Sequence, residues 1–212
     1  MTARVSNCPN CGAPARFRWS GAVQTVCDYC RSILVRRDLD LERVGQVADL
    51  PADVSPIQIG TEGGYGNRAF VVLGRIVYEY ELGAWNEWHL VFSDGTSGWL
   101  SDAQAEYAVS FLVPGAADLP PVSEVSAGKL FVRDNVAFRV ATLTTARYRG
   151  VEGELPFEYW DKEYVHFADL RSHTTRFGTI DYSESPPLLF LGELVEFDDL
   201  RLRNLRHIEG WS

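Results

Sequence analysis

The sequence has no cysteine after Cys30. That excludes thiolate catalysis and disulfide crosslinking from everything that follows. No run approaches 18 apolar residues, so a membrane-spanning helix is not expected. The start, MTARVSNCPN, carries no apolar stretch of signal-peptide type, and a cytoplasmic protein is the expectation. Low-complexity tracts are missing. Hydrophobic residues make up 46% and charged residues 23% of 212, an ordinary globular composition that allows one large or two small domains. Strongly periodic helical stretches are also missing, which leaves a mainly β reading.

What is present is concentrated early. Cys8, Cys11, Cys27 and Cys30 form two Cys-x-x-Cys pairs. Without an export signal, such pairs read as metal-binding thiolates rather than disulfides. Four sulfurs fill a tetrahedral shell, so the expected group is a structural Zn²⁺ with no open position for water or substrate. An iron centre shares the spacing, and the sequence does not separate the two metals. Pro9 and Gly12 suit the turn of the first knuckle. ARFRW and AVQTV read as short strands of a hairpin around Ser20-Gly21. So small a unit cannot bury a core, and the metal must supply much of its folding energy.

Charge divides the chain. Residues 1–37 hold six arginines against one acid, Asp28, a balance of +5. The net charge of −9 therefore leaves −14 for the other 175 residues. The body should repel nucleic acid, while the head could take an anionic partner through Arg16, Arg18 and Arg31. With Phe17, Trp19 and Tyr29 nearby, a nucleic-acid-binding zinc ribbon is one alternative function. Docking of the head on the acidic body is another use of the same charge.

The expected organisation is a zinc ribbon at 1–36, a linker or short helix at 37–53, and a β-rich domain at 54–205. In the last, AFVVLGRIVYEYEL, EWHLVFSD, AEYAVSFLV, VAFRVATLTTARYRG, EYVHFADL, TRFGTIDYS and PPLLFLGELVEF read as strands,. Asp94-Gly95 marks a hairpin turn. AFVVLGR, EWHLVFSDG and GWL recur in order as AFRVATL, EYVHFADL and FGTID. This suggests two related barrel- or sandwich-like modules, 54–114 and 126–205, packed together. At the end, Asp198 could cap a short helix.

The densest aromatic-polar cluster is Trp85-Asn86-Glu87-Trp88-His89, with Trp99 on the next strand. Trp85, Asn86, Glu87, Trp88 and Trp99 are the candidate recognition surface, on the expectation that the tryptophans are exposed. Core packing is the plainer use of the same residues. A small-molecule enzyme with a site near Glu87 and His89 is a further alternative. No pair among His89, His166, His173 and His207 has metal-ligand spacing, and no nucleophile elbow is present,. The glycine-rich run from Gly60 to Gly66 lacks the Gly-Lys-Ser/Thr ending of a phosphate loop and reads as a turn or loop.

Gly74, Arg75, Tyr78, Trp85, Asn86, Glu87, Trp88, Asp94, Gly95, Trp99 and Leu100 resemble the pattern of the DUF4178 family of bacterial proteins. GELPF, FADLR and FGTIDYSESPPLLFLGE resemble its C-terminal part. The resemblance implies a β-rich domain behind an N-terminal zinc ribbon and supplies no catalytic residues. It implies an accessory or adaptor protein that binds another protein beside a bacterial envelope system, without being an integral membrane protein itself.

Overall fold

The computed structural model describes residues 4–37, 40–47, 50, 55–116, 118–159 and 161–208. Strands β1 (Arg4–Asn7) and β2 (Pro14–Phe17) pair across the first cysteine knuckle. Strands β3 (Gln24–Val26) and β4 (Ser32–Arg37) pair across the second, and β5 (Asp40–Gln46) adds to β4. Two expectations change here. The described part of the 37–53 linker is a strand rather than a helix; residues 38–39, 48–49 and 51–54 lie outside the described residues. The expected hairpin around Ser20-Gly21 is also absent, because the body takes that backbone. Glu154 accepts the amides of Arg18 and Trp19, and the Leu155 carbonyl accepts those of Val23 and Gln24.

Among its described residues the body holds ten strands: β6 (Glu62–Tyr65), β7 (Arg68–Tyr80), β8 (Gly83–Phe92), β9 (Ser97–Ala103), β10 (Glu106–Leu112), β11 (Leu130–Arg133), β12 (Val136–Gly153), β13 (Tyr164–Arg171), β14 (Arg176–Asp181) and β15 (Leu188–Val195). They form one antiparallel sheet, not two separate modules. β10 pairs with β15, and β12 pairs with β7 as well as β13. The eight strands β7–β10 and β12–β15 thus close into a ring, which leaves few unpaired edges. The glycine-rich run forms β6 and its flanking turns, with no helix behind it. The 3₁₀ turn Asp198–Leu200 makes no side-chain cap, so Asp198 does not serve as one. Among the described residues, no helix is long and apolar enough to cross a membrane.

The repeat seen in the sequence is visible in register. β6–β7 and β11–β12 are matching hairpins, Tyr65 facing Arg68 and Arg133 facing Val136. Phe70 and Val72 correspond to Phe138 and Val140, and each long strand then shifts register just beyond, at Val72/Gly74 and Val140/Thr142. On this match Glu79 corresponds to Arg147 and Phe111 to Leu191. Each of these pairs faces its own counterpart where the halves join. The pairing register of the two halves therefore corresponds at both joints.

Three apolar clusters follow from strand alternation. One outer face buries Phe70, Val72, Trp88, Leu90 and Leu100 under Ile57 and Leu200. The equivalent face buries Phe138, Val140, Leu170 and Leu189 under Ala116 and Val125. The central cluster joins Ile76, Tyr78, Trp99, Val151 and Phe167 to Ile33 and Val47 of the head. The head thereby plugs one end of the ring.

Candidate functional site

The four-cysteine cluster is built by two equivalent knuckles. The Cys8 amide bonds the Ala13 carbonyl, and the Gly12 amide returns to Cys8. In the second knuckle, the Cys27 amide bonds Ser32 and the Arg31 amide returns to Cys27. Gly12 and Arg31 occupy the same left-handed position, with φ of 76° and 58°. Glycine adopts that region freely, whereas an arginine there is strained by about 1 kcal/mol.

The four sulfurs lie within 4.8 Å of one another. Cys8–Cys30 and Cys11–Cys27 are each 3.7 Å apart, far beyond a disulfide bond of about 2.05 Å. A tetrahedral shell with metal–sulfur distances of about 2.3 Å has an edge of about 3.8 Å. The residues present therefore fit a four-sulfur metal centre. Hydrogen bonding from Asn10, then Ser32, favours the Cys30 thiolate. The cluster can coordinate a metal ion.

Glu154 fastens the head to the body. Its Oε1 accepts the Arg18 amide at 2.7 Å and its Oε2 the Trp19 amide at 3.0 Å. Gln24 and Tyr159 exchange two further bonds, Gln24 Nε2 donating to the Tyr159 carbonyl and the Tyr159 amide to Gln24 Oε1. A Gln at 154 would set its amide group against one of the two amide donors. Glu154→Gln should cost about 2 kcal/mol and release hydrogen-exchange protection at Arg18 and Trp19.

The proposed tryptophan surface divides between two faces of the sheet. Trp88 is 0% and Trp99 6% exposed, so neither forms an outer patch. Trp88 lies in the covered outer cluster, its indole N–H donating to Asp102. Asn86 is buried beside it and accepts two bonds from Arg75, which pairs with Glu152 at 3.0 Å. Trp99 points inward and stacks on Phe157, with ring centres 5.6 Å apart. His89 is buried with both ring nitrogens engaged. A carbonyl only accepts, so Nδ1–H donates to Glu154 O at 2.8 Å, and Nε2 takes the Ser97 hydroxyl at 2.9 Å. Burial lowers its pKa to about 4. The expected site near Glu87 and His89 thus has no free imidazole. Alternation on a strand could have separated residues 85, 87 and 89 from 86 and 88; which face is covered depends on residues 55–59 and 195–205.

What remains accessible is Trp85 and Glu87. Both line a recess of about 870 Å³ at the other end of the ring. It opens where β7 ends at Tyr80 while β12 continues through 141–145, because the β7–β12 ladder covers only 147–153 of β12. Trp85 stacks on Tyr78 at 5.0 Å and meets Phe167 edge-on at 5.6 Å. Its indole N–H and the Ser101 hydroxyl both donate to Glu87 Oε1 at 2.9 Å. Below lies a cavity of about 50 Å³, bordered by Glu87, Tyr78, Tyr159 and Asp181. Burial raises Glu87 to about 8, with Asp169 and Asp181 adding repulsion, and raises Asp181 to about 6. Asp169, Thr179 and Arg171 are site residues that no local sequence signal marks. They come from the second half of the chain, and only ring closure brings them opposite Glu87.

The folded protein holds the Glu87 proton above the pKa at which the unfolded chain releases it. Stability contributed by the neutral acid is fully present near pH 4 and is lost as pH rises to about 8. Glu87→Gln should match the wild type near pH 4.5 and melt about 3 °C or more above it at pH 9. A pH series of melting temperatures checks this.

The three head arginines do not converge. Arg18 lines a groove of about 890 Å³ at the seam between head and body, with Arg68, Arg201 and Arg203. Arg16 is exposed on β2 and Arg31 on the second knuckle; neither borders that groove.

Fold and site define a class: a mainly β protein with one large antiparallel sheet and an N-terminal four-cysteine cluster able to hold a metal. Residues 58–197 match the family model described as "Domain of unknown function (DUF4178)". The chain belongs to that family. No curated protein and no solved structure matches it.

Proposed function

We propose that the chain is a non-enzymatic accessory protein that captures a partner at the mouth of its strand ring. Cys8, Cys11, Cys27 and Cys30 would hold one structural Zn²⁺. Four thiolates leave that ion no open position, so its contribution is to fix the head. The observation that carries the reading is the recess itself. Its rim exposes two aliphatics among polar and acidic residues, Leu82 77% and Leu143 43% accessible. Exposed aliphatics around an aromatic recess fit recognition. An envelope-associated setting is what the family resemblance implies, and a membrane protein would then be the captured partner.

Affinity capture from native cell extract tests it. A Leu82→Asp/Trp85→Ala variant should lose a partner that the wild type retains, while both keep their metal. Retention by the variant overturns the mouth as the capture site. A second reading, an anion-binding seam, is favoured by the groove shared by Arg18, Arg68, Arg201 and Arg203. Binding of RNA or DNA that weakens steeply with salt would support it; no mobility shift at low salt would sink it.

A further inference from the structure

We propose that the mouth of the ring binds an organic cation, an ammonium or guanidinium group on an apolar stem, between an aromatic wall of Trp85 and Phe167 and the carboxylates of Glu87 and Asp169. The proposal rests on the capture reading and names what the partner presents.

The chemistry of the lining decides the sign of the ligand. Glu81 at the β7–β8 tip, Glu87 on β8, Glu106 at the β9–β10 turn and Asp169 on β13 are its acids. Asp181 on β14 lies in the cavity below. Arg171 is the one basic residue of the lining. Its Nη2 pairs with Glu106 and the guanidinium lies over Phe177, 4.5 Å from the ring centre, while its buried Nη1 has no hydrogen-bond partner among the described residues. An anion entering the recess would therefore meet an excess of carboxylates. A cation meets acceptors and aromatic faces, which attract it through the ring quadrupole.

Glu87 carries the second part of the argument. Both its hydrogen bonds fall on Oε1. Among the described residues, Oε2 accepts none. The surface this side chain keeps faces the recess and the inner cavity. Trp85 and Ser101 fix the carboxyl in place, so the acceptor is preorganised. Asp169 is held likewise, by Thr142 and Thr179, each at 3.0 Å. An apolar stem would pass Leu82 and Leu143 at the rim.

Burial favours the neutral acid of Glu87 and raises its pKa to about 8. A bound cation favours the carboxylate. Binding should therefore expel the Glu87 proton to bulk water and leave an ion pair. Affinity should rise with pH below about 8, by up to about tenfold per unit, and level off above it.

The experiment is titration of the full, metal-loaded chain, followed by calorimetry and the Trp85 indole N–H resonance. The probes are butylammonium, methylguanidinium, butanol and butyrate, with a capped Gly-Arg-Gly peptide. Expected is binding of the cations, at least about tenfold weaker in Glu87→Gln, with proton release and no binding of butyrate. Tighter binding of the peptide assigns the cation to a protein side chain; tighter binding of the free ions assigns it to a small molecule. Equal binding of butanol and butylammonium, or unchanged affinity in Glu87→Gln, overturns the cation while an apolar capture site stands. Binding of no probe also overturns it. A partner captured from extract equally by wild type and Glu87→Gln would leave the capture reading intact.

Discussion

Cys27→Ser should lose its metal ion and unfold the head, lowering the melting temperature by about 10 °C or more. Three short ladders and a few buried residues hold residues 4–47 together, and Cys8, Ala15, Cys27 and Leu34 form the core around the metal site. Structural metal sites of this kind contribute on the order of 10 kcal/mol to their own folding. The loss should extend beyond the head. Ile33 and Val47 belong to the central cluster, so their withdrawal opens the plugged end of the ring. Metal analysis shows the first effect, and limited proteolysis within residues 4–47 the second. Hydrogen exchange at Val151 and Leu155 reports the unplugged ring. A variant that loses its metal yet keeps protection there would show that the head merely rests on the body.

The second large effect is expected at ring closure. Gly74 and Gly153 face each other where β7 meets β12. A Cβ on Gly74 would lie 2.1 Å from the Glu154 carbonyl oxygen, and one on Gly153 2.1 Å from that of Leu73. Both obstacles are backbone, and the Glu154 amide is bonded to the Leu73 carbonyl at 2.7 Å. Neither strand can yield without breaking the joint. Gly74→Ala should therefore destabilise the protein by about 3 kcal/mol or more, measured by denaturant unfolding. It should also free the head, because Glu154 is its anchor. A loss below about 0.5 kcal/mol would mean that the ring does not close here.

These two sites differ in how visible they are in sequence. The cysteine cluster is legible at once, because Cys-x-x-Cys spacing is a local code for two ligands on one turn. The strands and the order of the repeat are legible for the same reason, since alternation and turn residues are local. Ring closure is not. Nothing in Gly74 or Gly153 alone says that they meet, and the β12–β7 ladder spans most of the body. The mouth inherits that opacity: Asp169 and Glu87 are brought together only by closure. The tryptophan cluster reads in sequence equally as surface or core, because Trp88 and Trp99 look alike there. Their faces are set by covering segments far along the chain. His89 likewise becomes structural only when Glu154 and Ser97 arrive at its two nitrogens.

On the proposed function, the four-cysteine head holds a metal closed to chemistry and folds as part of the ring. X-ray absorption at the zinc edge of the purified chain tests that claim most directly. It should show one zinc with four sulfur neighbours at about 2.3 Å and no oxygen or nitrogen. A shell of fewer sulfurs completed by oxygen would expose a coordination position on the metal and contradict a purely structural head.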